Sequence, residues 1–164
     1  MPHTWGPKAG KQFNPAGGRP EPEPSLAAQP RPVRVLFVCL GNSCRSQMAE
    51  GFALRYGHDV MEVSSAGLTP AMMVAPLTHQ AMLENKGIDL GGQWPKSIFD
   101  VRGPFDIIVN ISGHPLPSTI AAKQIRAWTV RDPVNDGGAV HLEVANQIES
   151  LVQQLIIEIR RRKI

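Results

Sequence analysis

The apolar positions change period several times along the chain. Residues 33–39, VRVLFVC, form a near-continuous apolar run rich in β-branched and aromatic side chains, the pattern of a strand buried on both faces. The segment 46–57 instead carries Met48, Phe52, Ala53 and Tyr56 at helical spacing and stops at Gly57. A second strand is expected over 60–67. Pro76 then opens a helix that runs to a stop at Gly87. Two more strands are expected over 105–112 and 125–130. Val144, Ile148, Leu151, Val152, Leu155 and Ile156 mark the apolar face of a final helix between Val140 and Arg162. Strands alternating with helices predict an α/β fold, a parallel sheet covered on both faces. In such sheets ligands bind where the carboxyl ends of strands hand over to helices.

Composition changes the picture at the N-terminus. Residues 1–32 hold eight of the 15 prolines, so a disordered Pro- and Gly-rich tail is expected there, with the folded domain spanning 33–164. The net charge of +3 is mild, and the basic cluster at Arg160–Lys163 ends a helical pattern, where cations suit the dipole. No nucleic-acid partner is expected. No apolar run is long enough to span a membrane, and no signal-peptide core is present, so no membrane association is expected either. Two cysteines are too few for a disulfide-stapled domain, which makes a cytoplasmic location the expectation.

Both cysteines lie in one loop, CLGNSCR, residues 39–45, between the first strand and the first helix. A strand that passes directly into a helix gathers several backbone N–H groups around one space, and the helix N-terminus adds partial positive charge. Gly41 is suited to a positive φ, and Asn42 is among the few other residues that tolerate one. The loop amides of Leu40, Gly41, Asn42, Ser43, Cys44, Arg45 and Ser46 therefore form a candidate oxyanion site. Arg45 adds a planar fork able to grip two oxygens. Cys39, at the strand's end, faces the same donors and is the candidate nucleophile, with Ser46 placed to donate to its sulfur. Two cysteines would supply only half a zinc site, so no metal is expected, and the Gly-rich spacing of a nucleotide-binding loop is absent.

With five residues between Cys39 and Arg45 and Ser46 next, the loop resembles the phosphate-binding loop of the low-molecular-weight protein tyrosine phosphatases. Thioredoxin-coupled arsenate reductases are relatives that share that loop and fold. The resemblance covers residues 33 to about 162. It implies a three-layer sandwich around a four-stranded parallel sheet, flavodoxin-like, in the order 2-1-3-4. It also implies that Asp132, in WTVRDPVND, is the general acid that protonates the leaving oxygen. Cys44 then corresponds to a redox guard that protects Cys39 through a reversible disulfide; passive packing is its other reading.

The two branches of the family imply different activities. Gln47 and Gln93 resemble the reductases. Yet the position at which three-cysteine reductases carry a second thiol is Ser112, and no cysteine follows Cys44. An internal disulfide cascade is excluded. The potassium site of those reductases would map to Asn42, Glu50, Ser65 and Lys96, so the Lys96 ammonium is expected in place of the ion. Val134 stands where phosphatases carry a tyrosine, and Met72 and Met73 are expected as an apolar wall. The first reading is a phosphatase acting through a phosphocysteine on a phosphorylated protein or a small phosphate ester, with no cofactor. The second is an arsenate reductase drawing on an external thiol such as glutathione or mycothiol. The third is a non-catalytic oxyanion-binding or partner-binding module.

Overall fold

β-branched and aromatic residues on both sides of one strand allow it to lie at the centre of a sheet, and Val33–Cys39 occupies that place. In the computed structural model, which describes residues 31–161, the elements run β1 (Val33–Cys39), α1 (Arg45–Gly57), β2 (Met61–Gly67), α2 (Pro76–Lys86), β3 (Phe105–Asn110), β4 (Ala122–Ala127) and α3 (Gly138–Arg160). The four strands form one parallel sheet in the order β2-β1-β3-β4, with Cys39 level with Gly67 and Val38 level with Asn110. This is the flavodoxin-like α/β arrangement. The expected tail lies outside the described residues apart from Arg31 and Pro32.

Alternate residues of β1 serve different layers. Val35, Phe37 and Cys39 enter the larger apolar cluster, joined by Met48 and Phe52 of α1, Met82 of α2, and Val144, Ile148, Val152 and Leu155 of α3. Leu36 and Val38 point the other way, to Ala66, Ile98, Phe105 and Ile108. All three helices contribute to the first face. The second is covered by irregular chain around Ile98, Val101, Leu116 and Ile120, so the third layer contains no helix among the described residues.

Helix boundaries follow local chemistry. Pro76 opens α2, where the missing N–H costs nothing. Gly87 closes it at φ 67°, with its N–H on the Leu83 carbonyl.

Two strands differ from expectation. β3 stops at Asn110 rather than 112, and β4 covers 122–127 rather than 125–130. Beyond those ends the carbonyls of Ile111 and Val130 accept from the Arg45 guanidinium at 2.7 and 3.0 Å, so the chain leaves the ladder to receive a side chain from the loop. Among the described residues, no helix is long and apolar enough to cross a membrane.

Candidate active site

The loop between β1 and α1 is shaped from outside. The carbonyls of Cys39, Leu40, Gly41 and Ser43 accept from the backbone N–H groups of Leu68, Thr69, Ala71 and Ala75, at 3.1, 2.8, 2.9 and 2.9 Å. The Asn42 carbonyl accepts from Gln47 Nε2 at 2.9 Å. With its carbonyls turned outward, the loop leaves the amides of Gly41 to Cys44 facing inward, without a hydrogen-bond partner among the described residues. Free amides on a tight turn of this kind can form a nest for an anion. Cys44 caps α1 without a side-chain bond, so the helix end adds its own donors.

Of the two loop residues suited to a positive φ, Asn42 adopts it, at 50°, and Gly41 does not. The Asn42 side chain explains the choice. Its amide donates to Ser46 Oγ at 2.7 Å and Ser65 Oγ at 3.0 Å, and its oxygen accepts from the Lys96 N–H at 2.8 Å. Three bonds hold a residue type that tolerates this conformation. The close approach of loop and sheet is instead made possible by Gly67. A Cβ there would sit 2.9 Å from Leu40 O, Gly41 C and Asn42 N.

Cys39 is buried, with its Sγ 2.9 Å from Ser46 Oγ and 3.4 Å from the Ser46 N–H. Because Ser46 Oγ already accepts from Asn42, its own hydrogen is directed to the sulfur. Two donors aimed at one sulfur suit a nucleophile that carries negative charge. Burial pushes the Cys44 thiol up, partly offset by Thr78 and Ser43, so Cys44 stays protonated at neutral pH. Both cysteines are free.

Arg45 is 5% exposed and fixed by one corner, Nη1, to the Ile111 and Val130 carbonyls. Its opposite edge faces the site. Nη2 lies 3.3 Å from Asp132 Oδ2, and Nε is buried without a partner. A guanidinium N–H left unpaired beside a ring of inward amides marks the place where an anion's oxygen would be held. Cys39, Arg45 and Asp132 share one cavity of 260 Å³, walled on its apolar side by Leu40, Ala71 and Val134. Met72 and Met73, expected as that wall, are instead 97% and 61% exposed and do not line it.

A supporting shell surrounds the loop. Buried Gln47 also donates to the Trp94 carbonyl at 3.0 Å, and Gln93 reaches Gln47 Oε1 at 2.6 Å. Ser65 Oγ donates to Glu50 Oε1. The Lys96 ammonium lies 3.9 Å from Glu50 and donates to the Trp94 carbonyl at 2.9 Å; burial lowers its pKa against the pull of Glu50. Asn42, Glu50, Ser65 and Lys96 thus meet behind the loop. No group of three metal-ligating His, Cys, Asp or Glu side chains occurs among the described residues. Ser112 bonds locally, its hydroxyl to Asn110 Oδ1 at 2.6 Å. Sequence reasoning missed Gly67, a lone glycine ending a strand, and a buried pair formed by Thr78 and His141, for which no sequence signal exists.

Comparison with known proteins adds a second line. The family model for low molecular weight phosphotyrosine protein phosphatase matches residues 34–164. The glutaredoxin arsenate reductase of Synechocystis sp. is 35% identical over 130 residues, covering 77% of this chain and 98% of its own length. A solved arsenate reductase in the phosphate binding state superposes with a TM-score of 0.70 at 33% identity, over 77% of this chain and 98% of the other. A solved low molecular weight protein tyrosine phosphatase from T. tengcongensis gives 0.68 at 27% identity, over 77% and 99%.

Proposed function

The chain belongs to the low molecular weight phosphotyrosine protein phosphatase family, and on that premise we propose that it reduces arsenate through Cys39, with an external thiol as reductant. The observation that carries this reading is the Arg45 Nε, buried without a partner, in the cavity that Arg45 shares with Cys39 beside loop amides that also lack partners. The geometry supports attack on a tetrahedral oxyanion. The relatives named as arsenate reductases favour arsenate as that oxyanion.

The steps assign each atom. The loop amides and Arg45 hold arsenate, and the Cys39 thiolate attacks arsenic. Asp132 delivers a proton to the departing oxygen, which leaves as water or hydroxide. An external thiolate then attacks the Cys39 sulfur. The S–As bond breaks with its electron pair on arsenic, releasing arsenite and leaving Cys39 in a mixed disulfide. A second thiol restores Cys39 and carries away the disulfide. The chain's two cysteines, 39 and 44, both lie in the loop, so the net two electrons come from outside. Cys44, on the same loop, is the guard that protects Cys39 from over-oxidation through a reversible disulfide. A reducing, cytoplasmic setting fits both free thiols.

A second reading, phosphate-ester hydrolysis at the same site, is favoured by Asp132 beside Arg45, since an ester's leaving oxygen also needs a proton. One paired assay separates the two. Arsenite release that depends on added glutathione or mycothiol and vanishes in Cys39→Ser is the expected result. Hydrolysis of p-nitrophenyl phosphate without thiol-dependent arsenite would move the protein to the phosphatase branch. Neither activity, with phosphate still bound, would leave an oxyanion-binding module.

A further inference from the structure

Behind the loop that carries Asp132 lies a buried polar pair that the chemistry above does not use. Thr78, in the first turn of α2, meets His141, in the first turn of α3, with Oγ1 and Nδ1 2.8 Å apart. Thr78 is fully buried and His141 is 1% exposed. Ala145, one turn on from His141, and Met82, one turn on from Thr78, belong to the main apolar cluster. A hydroxyl–imidazole bond at such a seam gives little more net stability than two well-packed apolar side chains, so stability alone does not account for it.

The two ends of the pair reach the two halves of the site. Thr78 also borders Cys44 of the oxyanion loop and lowers its pKa against the effect of burial. The imidazole faces the carbonyls of Pro133 and Asp136, which follow Asp132 directly. Its Nε2 is buried and closes no full-strength hydrogen bond to either. The carbonyls of Pro133 and Asp136 beside the ring call for a donor, which places the imidazole hydrogen on Nε2 and leaves Nδ1 to accept from the Thr78 hydroxyl. Burial lowers the His141 pKa against the opposing pull of the Pro133 and Asp136 carbonyls and the Asp136 and Asp132 charges, which keeps a neutral ring with that single tautomer at neutral pH.

Asp132 now pairs with Arg45 Nη2 at 3.3 Å, and an arriving oxyanion takes over that edge of the guanidinium. The carboxyl must then shift towards the leaving oxygen, and the backbone behind it must shift with it. We propose that His141, braced by Thr78, is a positioning residue for Asp132: its Nε2–H engages the Pro133–Asp136 backbone when an anion is bound and sets the carboxyl at the leaving oxygen. The inference rests on Asp132 as the proton donor and holds for either oxyanion.

The test is a double-mutant cycle of His141→Phe and Asp132→Asn, with Thr78→Val as an independent route to the same loss and His141→Gln as the conservative replacement. Turnover and the inhibition constant of inorganic phosphate are both measured. A displaced acid lowers turnover by roughly 10- to 100-fold, while phosphate inhibition changes little. His141→Gln recovers most of the loss. In the Asp132→Asn background, His141→Phe adds almost nothing, because the group it positions is already gone. Losses that multiply in the double variant, or phosphate affinity that falls as steeply as turnover, overturn the proposal. Should the wild type turn over neither arsenate nor an aryl phosphate, the functional reading fails, and amide hydrogen exchange decides the positioning separately. Phosphate should then slow exchange over residues 132–137 in the wild type and not in His141→Phe; equal slowing in both overturns it.

Discussion

Ser46 is where sequence and chemistry meet most tightly. Its hydroxyl accepts from Asn42 and is left to donate to the Cys39 sulfur. Ser46→Ala removes that donor while the Ser46 N–H remains, a loss of about 1–2 kcal/mol in the charged nucleophile and hence roughly a tenfold drop in turnover. Phosphate inhibition should stay within about threefold of wild type; an equal fall in both would mean that Ser46 shapes the loop rather than the sulfur. Cys39, Arg45 and Ser46 were legible in the sequence because eight contiguous residues carry them, and contiguity fixes their neighbourhood. Glycine is the default residue for positive φ, but the three side-chain bonds of Asn42 outweigh that preference. Thr78 and His141 lie 63 positions apart and look like ordinary helix residues, so only the packing of α2 on α3 brings them together.

Strand and helix types were legible wherever apolar periodicity was strong, as in β1 and α3. β4 was not. Its sequence, AKQIRA, has no apolar run, since it is the edge strand and leaves Ile125 56% exposed. The apolar residues beyond it, Trp128 and Val130, pack on the larger apolar cluster instead. The junction of β2 with the loop depends on a single hydrogen atom. Gly67→Ala would drive a Cβ into loop backbone at three points, costing about 1–3 kcal/mol by overpacking and weakening phosphate binding through the displaced amides. Urea unfolding with and without phosphate checks both effects; unchanged phosphate stabilisation would show that the loop adapts. The seam between α2 and α3 also carries a pH signature. Burial, the largest influence, holds His141 below its ordinary value of 6.5, so the unfolded chain binds that proton first as acid is added. Its contribution to stability is complete above that value, declines as pH falls towards the lowered folded value, and is gone below it. Between about pH 7 and about pH 5, the urea midpoint of the wild type should therefore fall further than that of His141→Phe.

Among the described residues, one face of the sheet carries all three helices and the larger apolar cluster, while the other is sealed by irregular chain. Phe52, fully buried against that first face, should cost about 3–5 kcal/mol when cut to alanine, measurable as a lower urea midpoint. A smaller loss would show that the helices repack. Behind the loop, the Lys96 ammonium near Glu50 is expected to make the protein indifferent to exchange of sodium for potassium. Thermal unfolding in each salt tests this, and a marked gain in potassium would show that an ion still seats there. The anchoring of Arg45 has a consequence for experimental design. One corner of its guanidinium ties together the chain leaving β3 and the chain leaving β4, while the opposite edge faces the cavity it shares with Cys39 and Asp132. A lysine has no such fork and cannot satisfy both sides. Any replacement of Arg45 therefore mixes architectural damage with lost chemistry and makes a poor inactive control. Cys39→Ser, which leaves that brace intact, is the variant to use for trapping a bound ligand.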